Sequence, residues 1–548
     1  MNHHRYEPFP AVELKDRMWP DRRLTRAPGW CSVCLRDGNQ ALIEPMDSEK
    51  KLKLFNLLVA VGFKEIEVGF PAASQTDYDF VRKLIEEDLI PDDVMIQVLT
   101  QARSELIEKT FRAVRGADRV IMHLYNSTST LQRRVVFGLD CRGVKAIAVN
   151  GVKLIKKLAE QHPETDWVFQ YSPESFTGTE LDFAAEICNA VLDIWQPMPD
   201  KKAIINLPAT VEMSTPNIYA DMIEWMHMHL AWRPAIVLSL HTHNDRGTGI
   251  AATELGLLAG AERVEGTLFG NGERTGNADI VTLALNLMHQ GIDPGLDFSD
   301  ITQAARVVEE CTNIPIHPRH PYAGELAFTA FSGSHQDAIG KGLAAQRAAN
   351  SVVWSVPYLH VDPMDIGRDY QPLIRINSQS GKGGIAHVME RDFKMQLPRG
   401  LQIDFSTVVQ KVADKMKREI LPKDLIDLFE AEYFRTHPYE LVEYSHAPVA
   451  GGREITVSMR LNGVTTDIRG RGNGPVDAFV NALQEAFDVE MSVTDLHEHA
   501  ISGGSDATAV AYIPVRFPGR PLVWGVGRDA DTTAASLRAV VSALNRSA

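Results

Sequence analysis

The chain has 548 residues, more than one ordinary domain holds, and its 44% hydrophobic and 23% charged residues are typical of a globular protein. With 56 Lys and Arg against 71 Asp and Glu the net charge is −15, which argues against a nucleic-acid partner. No apolar run approaches the ~20 residues of a membrane span. Residues 1–26 lack the apolar core of a signal peptide, and five scattered cysteines point to reduced thiols and a cytoplasmic location.

Residues 1–29 read as a polar N-terminal extension. From residue 30 to about 330 a rhythm repeats: a short apolar strand ends in polar residues and a helical segment follows. The strand candidates are residues 30–35, 65–68, 95–99, 119–124, 167–171, 203–207, 236–240 and 264–268. Cys31 and Cys34 form a CxxC inside the first of them. No second pair completes a zinc site, so they read as core thiols. The segment after this strand carries a Ser48 cap and apolar residues Leu52, Phe55 and Leu58 at helical spacing. Eight strand–helix units predict an α/β fold of the closed (β/α)8 type, with a doubly wound open sheet as the alternative.

Residues 331–431 break the rhythm and read as linker subdomains. Ser332–Asp337 opens a helical segment, residues 378–384 form a glycine-rich loop carrying Lys382, and residues 404–430 are amphipathic. The loop fits either an anion contact through backbone N–H groups or a plain turn. From residue 432 strands and glycines dominate. Two stretches resemble each other: residues 468–475 lead into an apolar helix, and residues 523–529 lead into another. They predict a C-terminal α+β domain with a duplicated βββα unit. Glycines opening the first helix, Gly472 and Gly474, could border a small-ligand pocket, or could simply form tight turns.

Catalysis in a barrel takes place where the strands end. Past the predicted strand ends lie Arg36 and Asp37, Gln97 or Thr100, His123, Ser172 and Glu174, Thr210, His241 and His243, and Asn277. His241 and His243 are two apart at the end of a strand, so both imidazoles project to one side and could share a cation. They could equally be loop histidines satisfied by hydrogen bonds. Asp37 offers the carboxylate and Asn277 an amide oxygen for such a site. Arg36 supplies a fixed positive fork for a developing oxyanion. A cation, an arginine and acid/base groups together suit C–C chemistry beside a polarised carbonyl.

Three long motifs then carry a resemblance: Leu35-Arg36-Asp37-Gly38-Asn39-Gln40, His241-Thr242-His243-Asn244-Asp245, and Gly270-Asn271-Gly272-Glu273-Arg274-Thr275-Gly276-Asn277. The chain resembles the acyl-CoA-condensing family of 2-isopropylmalate, homocitrate and citramalate synthases, related to HMG-CoA lyases. Ser332–Asp337, residues 377–384 and the C-terminal duplicate resemble the family's long members. These condense acetyl-CoA with 3-methyl-2-oxobutanoate and hydrolyse the thioester, opening leucine biosynthesis under feedback by leucine. The resemblance implies metal ligation by Asp37, His241, His243 and Asn277, with Mg2+ ahead of Mn2+ or Zn2+ and K+ as an activator. It implies oxyanion stabilisation by Arg36 and keto-acid contacts from His123, Ser172 and Thr210. It assigns proton abstraction to His335 with Glu174, a support role to Glu273, and a contribution from a partner subunit to Tyr370 in a homodimer. Leucine would act at the C-terminal domain. Leu99, Tyr125, Asn206 and Pro208 lie at strand ends and would line the side-chain pocket. Their neutral character suits an isopropyl group better than a second carboxylate. A homocitrate or citramalate synthase, or a lyase or aldolase on the same barrel, is the alternative.

Overall fold

The computed structural model describes all residues except Met1, His3, His4, Tyr6, Pro8, Phe331, 369–381, 417–419, Leu421, 502–506 and Ala548. It falls into two compact units, residues 1–327 with 361–369, and residues 328–360 with 370–548.

The first unit is a closed barrel of eight parallel strands: β1 (Gly29–Ser32), β2 (Glu65–Gly69), β3 (Met95–Gln101), β4 (Arg119–Ser127), β5 (Asp166–Glu174), β6 (Ala203–Ala209), β7 (Ile236–Thr242) and β8 (Arg263–Gly266). β1 closes the circle by pairing with both β2 and β8. Each strand is followed by helix, as its amphipathic spacing predicts. The helix Ser48–Val61 buries Leu54, Phe55 and Leu58. Its cap is Asp47 rather than Ser48, because the Asp47 carboxylate accepts the Lys50 N–H at 2.9 Å while Ser48 is already helical. Leu52 is only half-buried, and the inner face of that helix instead carries Lys51, whose ammonium is paired with Asp77 at 2.5 Å.

The first strand is shorter than its apolar run predicts. After Ser32 the chain turns into a wide π-helical loop, Cys34–Gly38, in which the N–H groups of Arg36, Asp37 and Gly38 all reach the Val33 carbonyl. That turn aims Arg36 and Asp37 over the barrel mouth, a use typical of π-turns at functional sites. Cys31 and Cys34 are buried, free thiols whose pKa is pushed up by burial.

Above an apolar layer of Met95, Ile121 and Ile204, the interior of the barrel is polar. Glu67, Gln97, His123, Gln170, Asn206, Ser239, His241, Arg263 and Glu265 are all buried on the strands. Arg263 pairs with Glu65 at 2.5 Å and Glu265 at 2.9 Å, and reaches Gln97 and Ser239. A buried charge persists only when paired and hydrogen-bonded, and each charge here is.

The second unit contains the helices Gly333–Ala349, Lys382–Phe393, Arg399–Met416 and Pro422–Tyr433. The last two pack Leu401, Phe405, Phe429 and Tyr433 against Tyr512 and Trp524. Beyond them, β9 (Tyr439–Val449), β10 (Gly452–Leu461) and β11 (Val464–Gly472) form an antiparallel sheet followed by the helix Pro475–Phe487. Among the described residues the second copy has four strands rather than three. β12 (Ser492–Val493), β13 (His497–Ala500), β14 (Ala509–Arg516) and β15 (Val523–Asp529) precede the helix Thr532–Ser547, and the extra β12 contributes only two residues. The duplication extends to packing. A Cβ at Gly470 would strike the backbone of Ala478 and Ala482, and one at Gly527 would strike Ala535 and Ala539. Glycine therefore lets each helix press onto its own sheet.

Candidate active site

The donors meet at the C-terminal ends of the strands. Asp37 comes from the turn after β1, His241 from the end of β7 and His243 just beyond it. One ligand atom from each lies within 4.8 Å of the others, and all three residues are buried. Asp37 Oδ2 stands 3.2 Å from His241 Nε2 and 3.6 Å from His243 Nε2. The backbone fixes this approach: the His243 N–H bonds to the Ala209 carbonyl, and His243 bridges to Asn277. The Asn277 amide comes within 2.6 Å of Asp37 Oδ2 and 3.2 Å of His241 Nε2. Gly272 makes room for it, since a Cβ there would overlap the Asn277 side chain.

The donor set fits a divalent cation. Asn277 Oδ1 and His243 Nδ1 are buried without a hydrogen-bond partner. Turning the Asn277 amide over exchanges Nδ2 for Oδ1 and presents an oxygen beside Asp37 and His241. One carboxylate, two imidazoles and an amide oxygen suit Mg2+, Mn2+ or Zn2+.

The electrostatics are steep. Burial alone would raise the Asp37 pKa, but Arg36, His241 and His243 hold it far below the carboxylate range. Burial would depress His241, yet its hydrogen bonds to Asp37 and Glu265 raise it to about 9. His243 moves the other way, to about 4, through burial and the neighbouring His241 charge. Arg36 is clamped between Asp37 at 2.8 Å and Glu67 at 2.5 Å.

A cavity of about 290 Å3 opens beside these donors. It brings together Arg36, Asp37, Leu99, His123, Tyr125, Ser172, Glu174, Asn206, Pro208, Thr210, His241, His243 and Glu273, and adds Gln40, Phe70 and Arg274. His123 bonds Ser172 Oγ at 2.8 Å and Glu67 at 2.9 Å. Asn206 donates to Ser172 at 3.0 Å. Thr210 Oγ1 accepts from the Ser175 N–H. Burial raises the Glu174 pKa, and its carboxylate bonds the Ser127 hydroxyl.

Two residues expected at the strand ends, Gln97 and Thr100, do not line the cavity. Gln97 lies one layer down, in the barrel interior, and Thr100 turns its hydroxyl to the Gln101 carbonyl, so Leu99 is the β3 residue at the cavity. Glu67 holds Arg36, and Glu265 holds His241 at 2.8 Å, while Glu273 lines the cavity. His335 belongs to the second unit, where its ring stacks on Tyr358 at 4.0 Å. Tyr370 and Ser378–Gly381 lie outside the described residues. Gly472 has a packing reason, since a Cβ there would collide with the Ala478 amide, whereas Gly474 faces open space at the cap of its helix.

Sequence reasoning overlooked Glu67, Gln170, Arg263 and Glu265. The available signal was Glu65-Ile66-Glu67 and Arg263-Val264-Glu265, where charges alternate with apolar residues along barrel strands. Gln40 and Arg274 sat inside recognised motifs without being singled out.

Comparison with known proteins defines first the class. Residues 27–308, the barrel, match the family described as HMGL-like. Residues 325–390 match the "alpha-isopropylmalate synthase, post-catalytic domain-like" family, and residues 419–548 the "LeuA allosteric (dimerisation) domain". The 2-isopropylmalate synthase of Parafrankia sp. is 59% identical, covering 99% of this chain and 97% of its own. That of Rhodospirillum rubrum is 55% identical, covering 99% and 98%. A solved hydroxymethylglutaryl-CoA lyase from Pseudomonas aeruginosa is 17% identical with a TM-score of 0.44, over 53% of this chain and 95% of its own. The chain belongs to the 2-isopropylmalate synthase family. Among the described residues no helix is long and apolar enough to cross a membrane.

Proposed function

We propose that this chain condenses acetyl-CoA with 3-methyl-2-oxobutanoate and hydrolyses the thioester, releasing 2-isopropylmalate and CoA at the entry to leucine biosynthesis. The observation that carries this reading is the buried Asp37–His241–His243 cluster opening onto a small cavity walled by Leu99, Tyr125, Asn206 and Pro208. Asp37, His241, His243 and Asn277 would hold the divalent ion, with Mg2+ the first candidate and K+ an activator. When bound, that ion supplies Lewis-acid polarisation of the keto group. His123, Ser172 and Thr210 position the keto acid, and Arg36 presents a fixed charge to the growing oxyanion. Glu174, a carboxyl whose pKa burial raises, and His335 take the methyl proton of acetyl-CoA. Glu273 lines the cavity with Arg274, and the working protein would be a homodimer.

The lining cations Arg36 and Arg274 are already paired, Arg274 with Asp245 at 2.7 Å. A second substrate carboxylate therefore meets no free cation among the described lining residues, which favours an apolar side chain over that of 2-oxoglutarate. We assign catalysis to residues 30–330, the connection to 331–431 and the response to leucine to 432–548, with Gly474 the better effector contact and Gly472 a packing residue. The test is thiol release. CoA should appear only with acetyl-CoA, 3-methyl-2-oxobutanoate and a divalent metal together, and leucine should suppress it. Silence from folded protein under these conditions, or turnover with 2-oxoglutarate instead, overturns the assignment.

A further inference from the structure

We infer that Glu265 is a positioning residue that ties the metal-donor cluster to the keto-acid pocket. The inference rests on the metal and substrate reading above. Glu265 sits on β8, fully buried, and its two oxygens serve five donors. Oε1 accepts from Gln97 Nε2 at 3.0 Å, Gln170 Nε2 at 2.7 Å and Arg263 Nη1 at 2.9 Å. Oε2 stands 2.8 Å from His241 Nδ1 and accepts from Asn206 Nδ2 at 3.2 Å.

The Oε2 contacts span two jobs. With Nδ1–H donated to Glu265, His241 turns Nε2 toward Asp37, and the tautomer and ring plane are both fixed. The same oxygen holds Asn206, a wall of the cavity. Asn206 passes the constraint on, because its Nδ2 also donates to Ser172, which bonds His123. One atom thus sets the position of a metal donor and of the side-chain wall. A glutamine at 265 must turn an NH2 either toward Gln97, Gln170 and Arg263 or toward His241 and Asn206, all of them donors. Arg263 keeps its Glu65 partner in that variant, so the fold retains a counter-charge at this point.

The experiment titrates full-length protein with Mn2+, following free Mn2+ by electron paramagnetic resonance. The proteins compared are wild type, H241A, E265Q, E265D, N206A and the double variant N206A/E265Q. E265Q should bind Mn2+ about 10- to 100-fold more weakly. N206A should weaken binding about 3-fold in the wild-type background and have no effect on top of E265Q, because the two residues act through one oxygen. E265Q should also shift the ratio of kcat/KM between 3-methyl-2-oxobutanoate and 2-oxobutanoate, which loss of packing alone would leave in place. Should E265Q fold poorly, E265D retains the charge, retracts the oxygen by a methylene, and should weaken Mn2+ binding likewise. Wild-type Mn2+ affinity in the Glu265 variants, or an N206A effect of equal size in both backgrounds, overturns the inference. Wild type binding Mn2+ no better than H241A would instead overturn the metal reading itself.

Discussion

The barrel interior and the core of the C-terminal unit solve the same packing problem with opposite materials. Inside the barrel, Glu67, Gln97, Gln170, Arg263 and Glu265 fill the space between strands with a hydrogen-bonded network. In the C-terminal unit, Ile455, Val457, Ile468, Phe479, Ala511, Ile513 and Leu537 fill it with methyls and rings, and glycines bring helix and sheet together. An apolar core gains stability from contact area and tolerates small shifts of its side chains. A polar core fixes direction, because each hydrogen bond constrains both partners. The barrel shows such direction where Arg36 and His241 are held against Asp37 at 2.8 and 3.2 Å.

The sharpest break in the comparison is His241→Ala. It should abolish metal-dependent CoA release, by at least about a thousandfold, while circular dichroism stays that of the folded protein. Near-normal turnover would remove His241 from the metal shell. In the other core, Phe479→Ala should cost about 3–5 kcal/mol of stability by leaving a cavity, read as an earlier denaturant midpoint for the C-terminal unit. A change under about 1 kcal/mol would mean that this core repacks freely. Glu67→Gln removes the charge that clamps Arg36 and bonds His123. A loss of about a hundredfold in kcat/KM is expected, about 2.7 kcal/mol in transition-state binding. Equal loss of stability without loss of rate would make the polar network structural only.

The gentlest probe is pH. Burial raises the Glu174 pKa, so its carboxylate form, the proposed proton acceptor, is lost at a higher pH than in an exposed glutamate. The rate should fall as pH drops through that raised value and recover above it. Glu174→Gln should flatten this acidic limb along with lowering the rate. An unchanged limb in that variant would assign the titration to another group.

Much of this was legible in the chain. Apolar runs alternating with amphipathic helices announced the barrel, and the residues just past those runs, Asp37, His241, His243, Ser172 and Glu174, were found because strand ends are local features. Strand limits were less legible: the strand stops at Ser32, but Val33, Cys34 and Leu35 are equally apolar and buried at the start of the π-turn, so the run looked longer. The Ser48 cap gave way to Asp47 for a similar reason, since two adjacent capping residues differ only in which one the backbone leaves outside the helix.

What the sequence determined by itself is whatever depends on neighbours along the chain: the period of each element, the paired histidines, the Arg36-Asp37 step and the glycines under the C-terminal helices. Tertiary structure alone decided which strand face became the interior. Gln97 meets Glu67 across 30 residues and Glu265 across 168. No local pattern marks such partners, because it is barrel closure that brings them within hydrogen-bond reach and makes their burial affordable only as a set.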